Sequence, residues 1–214
     1  MYPIGWNELI KNYMTNKYNI LDGVAEKNLQ HKDTTSLKWK KDVIDFFHSK
    51  KLKSCLEVGT CHGVTVKVLS SLFVNVDTIE FNPNRMAKAK EYCEGIDNIN
   101  FLLENAYDVK TYNKLKTYYD VVVIDCMHLY ENVIFDINQA LTKMNPDTGI
   151  YLVFDDYGHP DSPGVHKAVN EAIDAGLVVV SEIGEPAGFI VNRTDGTSFT
   201  TIHKEGIILS YGVI

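Results

Sequence analysis

Two short stretches carry side chains suited to chemistry: Ile124-Asp125-Cys-Met-His128-Leu-Tyr130 and Phe154-Asp155-Asp156-Tyr157. Each follows an apolar, β-branched run, Asp120–Asp125 and Ile150–Asp155, where a strand of a parallel sheet would hand over to a loop. If these strands are neighbours, about 4.8 Å apart, Asp125 and Asp155 sit at adjacent strand ends with Asp156 one residue beyond. Three carboxylates so placed repel one another unless a proton or a cation intervenes. Oxygen-only ligands, with positions left for water and substrate, suit Mg²⁺ or a similar hard ion. His128, three residues past Asp125, adds an imidazole able to accept a proton near neutral pH. A hydroxyl held on a divalent cation is acidified, so the set suits activation of a hydroxyl nucleophile. The structural alternatives are that Asp155-Asp156 only open a loop and cap a helix, and that His128 only bonds at a helix start.

The elements that must position these residues are legible in the pattern. Strand-like runs also occur at Cys55–Val58, Val76–Glu80 and Ile99–Glu104. Between the runs lie helices with readable ends: Asn82-Pro83 opens one before Met86, Ala89 and Tyr92, and Gly95 closes it. Val133, Ile134, Ile137, Ala140, Leu141 and Met144 share a helical face after Tyr130. Ser162-Pro163 opens another, with Val165, Ala168, Val169, Ala172 and Ile173 inward and Gly176 at its end. Five βα units in series imply an α/β, Rossmann-like doubly wound sheet, mostly parallel, with helices on both faces. In the tail, Leu177–Ile183 and Phe189–Asn192 read as two strands joined by Gly184–Gly188, and Thr200–Ser210 as a further edge strand. The hairpin pair brings the expected sheet to seven strands with a C-terminal antiparallel hairpin, and Thr200–Ser210 is an optional eighth at the edge. One domain spans 1–214: an aromatic-rich helical cap at 1–36, a βα core at 37–176, and the hairpin and tail at 177–214.

Ligands of open α/β sheets bind at the carboxyl ends of the strands. After the first strand comes Glu57-Val-Gly59-Thr60-Cys-His-Gly63. It is neither a dinucleotide GxGxxG, because Cys61 holds the middle position, nor a phosphate-binding GxxxxGK[ST]. An acid just before the glycine turn suits a ligand with a cationic amino-acid group better than a pyrophosphate. Glu80 ends the second strand, where a carboxylate can accept from both hydroxyls of a ribose. Glu104-Asn105-Ala106 ends the third, where a side chain and backbone can read an adenine edge. Each signal alone is weak; in this order they describe a nucleoside site.

Glu57-x-Gly59-x-x-x-Gly63, Glu80 and Asn105 resemble the motifs of class I S-adenosylmethionine (SAM)-dependent methyltransferases, across roughly residues 50–160. The resemblance implies a cofactor set of Glu57, Gly59, Thr60, Gly63, Thr65, Glu80, Asn105, Ala106 and Asp125. Asp125, Asp155 and Asp156 resemble the metal ligands of metal-dependent O-methyltransferases. Asp155-Asp156, His128 in place of a lysine base, and Gly164-Val-His-Lys-Ala-Val169 are closer to the macrocin, sugar-type branch than to the catechol and caffeoyl-CoA type. The implied activity is methylation of a small-molecule hydroxyl, a sugar first and a phenol or catechol second, with a divalent metal and His128 as base. The alternative from another class is a SAM-binding partner protein without catalysis, which would not need the carboxylate set.

Composition agrees. A net charge of -7 argues against a nucleic-acid surface. No Asn/Asp-Pro-Pro-aromatic motif of base methylation follows the fourth strand. No apolar run spans a bilayer and no signal-peptide core opens the chain, so a cytoplasmic protein is expected. Cys55, Cys61, Cys93 and Cys126 form no CxxC pair and read as reduced thiols. Lys38, Lys40, Lys41, Lys50, Lys51 and Lys53 read as a solvated face. His62 and His159 fall in loops at the site edge, and His31, His48, His166 and His203 read as structural or exposed. The apolar ending Ile207–Ile214 suggests a homodimer contact.

Overall fold

The computed structural model describes residues 17–21, 34–192 and 198–213. Most of the expected N-terminal cap lies outside these residues; a 3₁₀ turn at Asn19–Leu21 lies within them. Helix α1 (Leu37–Phe47) leads into strand β1 (Ser54–Val58). Alternation then continues through α2 (Val64–Ser70), β2 (Asn75–Glu80), α3 (Pro83–Tyr92), β3 (Ile99–Leu103), α4 (Val109–Asn113), β4 (Val121–Ile124), α5 (Tyr130–Thr142), β5 (Ile150–Phe154) and α6 (Pro163–Asp174). The chain ends in β6 (Val178–Asn192) and β7 (Ser198–Tyr211).

The seven strands form one sheet in the order β3-β2-β1-β4-β5-β7-β6. The first five are parallel, and β7 is antiparallel to both β5 and β6. Side chains of a strand alternate between faces, and on β4 Val122 and Ile124 enter one core while Val121 and Val123 enter the other. Both faces are therefore dry, which is why the sequence there is apolar without interruption. Helices start where read: the Asn82 side chain accepts the backbone N–H groups of Asn84 and Arg85, with Pro83 at the first helical position. Among the described residues no helix is long and apolar enough to cross a membrane.

The tail differs from the sequence reading. Leu177–Ile183 and Phe189–Asn192 are not partners; Val178–Asn192 is a single strand with register shifts at Val179/Ser181 and Ile183/Pro186. A shift of this kind absorbs extra residues and bends the strand without ending it, so Gly184–Gly188 is no hairpin loop. Nor is β7 the edge. It inserts between β5 and β6, with Ile207, Ile208 and Leu209 all buried, while Val178, Val179 and Val180 of β6 lie exposed. Three consecutive buried apolar residues are the mark of an interior strand. Ile207, Ile208 and Leu209 of the apolar ending are thus covered by the sheet itself.

Candidate active site

The parallel order sets β1 between β2 and β4, and β4 beside β5, so the ends of these strands share one edge. The ladder runs one residue past each strand: Asp125 N–H donates to the Val58 carbonyl at 3.0 Å, and Asp155 N–H to that of Ile124 at 3.2 Å. Asp125 and Asp155 are thereby fixed at adjacent strand ends, as the sequence implied. Gly59 makes the junction tighter still. Its φ is +103°, and a Cβ there would lie 1.8 Å from the Asp125 carbonyl oxygen, so no other residue fits. Two non-glycine residues among those described have positive φ, Cys61 (49°) and Asp156 (57°), and both stand at this edge. Backbone held in such sparsely populated conformations is concentrated at functional sites.

A cleft of about 320 Å³ opens at this edge. Gly59, Glu80, Asn105, Ala106 and Asp125 line it, which gathers five of the nine residues expected to hold a cofactor. Glu80 is buried, with one carboxylate oxygen accepting from Cys61 N–H (2.9 Å) and the other from Asn82 N–H (2.8 Å). Each oxygen keeps a second lone pair. The Asn105 side-chain oxygen accepts from Tyr107 N–H at 3.0 Å, closing an Asx turn where the cleft passes the end of β3.

Glu57, Thr60, Gly63 and Thr65 do not line the cleft. Glu57 is fully buried and accepts from the Thr78 hydroxyl at 2.5 Å, and Thr78 in turn meets Thr60 at 2.5 Å. Burial raises the Glu57 pKa well above the carboxylate range. These residues brace the glycine turn from behind, and Gly63 caps α2 with φ at 83°. Phe81, Arg85, Tyr107 and Met127 line the cleft without having been given a role in the sequence, and Cys126, read there only as a reduced thiol, lines it too. Their only signal was adjacency to motif residues: Phe81 follows Glu80, and Tyr107 follows Asn105-Ala106. All four cysteines are free thiols, but Cys61 and Cys126 face the cleft where Cys55 and Cys93 are core.

His128 stands between two carboxylates, with Nε2 3.8 Å from Asp125 Oδ1 and Nδ1 3.1 Å from Asp156 Oδ2. Asp125 and then Asp156 raise its pKa above the ordinary imidazole value, against the opposing effect of burial. Gly164 fixes the loop that carries it: a Cβ there would lie 2.5 Å from the His128 carbonyl and 2.6 Å from Tyr130 N, so the start of α6 lies directly on residues 128–130. Tyr157, just past the acidic pair, is stacked on His166 and meets His203 edge-on, both at 5.1 Å. His203 is 3.4 Å from Glu182. These histidines anchor the chain behind Asp155-Asp156 and take no place in the cleft.

Asp155 is buried, and its Oδ1 has no hydrogen-bond partner. Burial, then the charges of Asp125 and Asp156, raise its pKa well above the ordinary value. Oxygen donors that repel one another, one of them unpartnered, match the chemistry of a hard divalent ion. As the side chains stand, no three His, Cys, Asp or Glu groups among the described residues converge as a metal-ligand set. Lys40 of α1, expected on a solvated face, is completely buried, with its ammonium bonded to Thr34 and Thr35. The 3.6-residue period explains the error, because Lys40 falls between Trp39 and Val43–Ile44 on the face turned to the sheet.

No protein of curated function matches the sequence. Solved structures match along most of the chain. An O-methyltransferase from Bacillus cereus in complex with S-adenosylhomocysteine (SAH) is 16% identical with a TM-score of 0.59, covering 92% of this chain and 91% of its own. The O-methyltransferase TomG from Streptomyces achromogenes, involved in tomaymycin synthesis and solved with SAM, is 16% identical with a TM-score of 0.60, covering 92% and 89%. The N-methyltransferase NodS from Bradyrhizobium japonicum is 14% identical with a TM-score of 0.54, covering 80% and 93%. Likeness at this identity establishes the fold and leaves the accepting atom open. Residues 56–157 match the family described as a methyltransferase domain. The chain shares the Rossmann-like methyltransferase fold of these solved structures.

Proposed function

We propose that this protein transfers a methyl group from SAM to a hydroxyl of a small molecule, with His128 as proton acceptor. The observation that carries the reading is the placement of His128 between Asp125 and Asp156, beside a cleft built from Gly59, Glu80 and Asn105. SAM binding alone has no use for an imidazole held at 3.1 Å by an aspartate on the strand end that follows. Glu80 would take the ribose, the Asn105-Ala106 turn the adenine, and the backbone at Gly59 the methionine end. When bound, SAM supplies a methyl group on a sulfonium, and the acidic floor favours that positive charge.

The neutral imidazole of His128 removes the acceptor's proton as the oxygen attacks, and the two aspartates stabilise the imidazolium that results. A divalent ion held by Asp125, Asp155 and Asp156 would lower the hydroxyl pKa and so lessen the demand on that base. A sugar hydroxyl is the first acceptor class, from the sugar-type pattern of Asp155-Asp156 and His128. One observation favours a second class: Met127 and Leu129, on either side of His128, are 49% and 59% exposed. Apolar side chains at the rim suit the ring of a phenol or catechol. The test is incubation with SAM and parallel panels of sugars, phenols and amines, read by product mass. Methylation confined to amines would refute the reading.

A further inference from the structure

The turn after β3 and the loop after β4 both line the cleft, although β2 and β1 separate these strands in the sheet. One side chain bridges the gap. The Tyr107 hydroxyl accepts the backbone N–H of Met127 at 3.1 Å. Tyr107 is itself fixed at its backbone: its N–H donates to Asn105 Oδ1 at 3.0 Å, and the Asn105 carbonyl accepts from the Thr111 hydroxyl of α4 at 2.7 Å. Its ring meets Phe135 of α5 edge-on, with centroids 5.8 Å apart. Its hydroxyl also stands 3.5 Å from Oδ2 of buried Asp136, the next residue along that helix. A phenol hydroxyl has one proton to give and lone pairs to receive. With a carboxyl group on one side to take the proton, a lone pair is left facing Met127 N–H.

The loop so held carries the candidate base. Asp125 N–H completes the ladder on Val58, and α5 begins at Tyr130, with Leu129 at its N-cap offering no side-chain cap. His128 lies in the crossing between them and follows Met127 directly. From one side the start of α6 bears on residues 128–130; from the cleft side the restraint is the Tyr107 hydroxyl. A peptide pinned at Met127 limits how far the backbone of the next residue can move. We propose that Tyr107 is a positioning residue: it pins loop 126–128 to the nucleoside end of the cleft and so sets where the His128 imidazole meets the acceptor. This role rests on His128 being the base, whereas the bond to Met127 belongs to the protein without ligand.

Tyr107→Phe removes one oxygen and keeps the ring against Phe135. Two measurements read the change: amide exchange at Met127 by NMR in the protein without ligand, and the single-turnover rate at saturating SAM and acceptor. Exchange should quicken about tenfold, the equivalent of one hydrogen bond. The rate should fall about 10- to 100-fold, since a catalytic group misplaced by about 1 Å costs up to about 10². SAH affinity by calorimetry should stay within about threefold, because the hydroxyl's partners are Met127 and Asp136. Tyr112→Phe is the control. It removes a second, buried hydroxyl from the same cluster, on a ring 6.1 Å from that of Phe135, and should leave exchange and rate at the parent's level. Parent-like exchange in Tyr107→Phe overturns the pin, and faster exchange with an undiminished rate overturns its part in placing His128. An equal effect from Tyr112→Phe assigns the loss to a loosened aromatic cluster and overturns both. A parent that transfers no methyl group, yet exchanges faster at Met127 once the Tyr107 hydroxyl is gone, refutes the methyltransferase reading and leaves the pin standing.

Discussion

Replacing Glu80 by glutamine changes one atom and tests the nucleoside half of the cleft. In the parent, one carboxylate oxygen holds Cys61 N–H at 2.9 Å and the other Asn82 N–H at 2.8 Å, which uses one lone pair on each and leaves one on each for a ribose hydroxyl. In Glu80→Gln one oxygen becomes an NH₂ group with nothing to accept on. One backbone N–H then faces a donor, and one ribose hydroxyl loses its acceptor. A hydrogen bond to a charged group contributes about 1.5–3 kcal/mol, so SAM should bind roughly 10- to 150-fold more weakly, at about 1.4 kcal/mol per tenfold. The stranded N–H costs the fold about 1–3 kcal/mol as well, a fall of a few degrees in Tm for a chain of this length. Calorimetry should give the same loss for SAM and SAH, because both carry the ribose. A variant that loses Tm but binds both ligands as the parent does would reduce Glu80 to a brace for the turn at Cys61 and Asn82. A loss confined to SAM would point to its sulfonium charge and refute the ribose contact.

His128→Ala should lower the single-turnover rate about 10²–10⁴-fold, the usual contribution of a positioned base, with SAM affinity nearly unchanged; an unaltered rate would make the imidazole structural. Because Asp125 and Asp156 raise the His128 pKa and the neutral form is the base, the metal-free rate should climb with pH to a midpoint above the unperturbed imidazole value of about 6.5. Asp156→Asn should move that midpoint down, and no movement would remove His128 from the profile. Excess chelator should lower turnover, Mg²⁺ should restore it, and SAM binding should survive; full activity in chelator would place the chain among metal-independent enzymes. Buried Asp136 of α5 has a pKa raised to about 7 by burial, so its ionisation opposes folding and stability is lost as pH rises from about 4 through 7. Asp136→Asn should therefore be more stable than the parent at pH 8, by a few kcal/mol in order of magnitude, and show no gain at pH 4. Equal gains at both values would refute the cause.

The sheet and the acidic pair were legible because strand ends are marked by a change in chemistry: β4 and β5 are apolar up to Asp125 and Asp155, and the parallel order leaves few ways to arrange them. The glycine turn was legible as a turn, but which of its residues line the cleft was not. Glu57 lies on the strand before the turn, and only the fold shows it bonded to Thr78 behind the site. The order of β6 and β7 escaped because both are apolar, and local sequence does not state which lies inside. Lys40 and Asp136 escaped for a common reason. Each is a charged residue on an inward helical face, and charged residues are seldom buried without compensation. The compensation for Lys40 comes from hydrogen bonds to Thr34 and Thr35, just before the helix, which local sequence does not announce. Phe81 and Tyr107 carried no signal beyond their neighbours, since an aromatic side chain beside a motif is equally at home in a core.

The insertion of β7 between β5 and β6 sets the order in which a nascent chain can become competent. The five parallel strands and their helices emerge from the ribosome first, yet β5 then has an open edge beside Leu152 and Phe154 until Ser198–Tyr211 arrives. The same late strand brings Glu205, which holds Ser36 at a separation of 169 residues, and Gly206, on which Trp39 rests. The helix Leu37–Phe47 is thus seated by a strand made after the five parallel strands. Contacts of such long range form slowly, and an exposed β edge during the wait invites pairing with other chains. A chain stopped before Ser198 would hold every glycine and acid of the cleft and still lack the clasp that closes it.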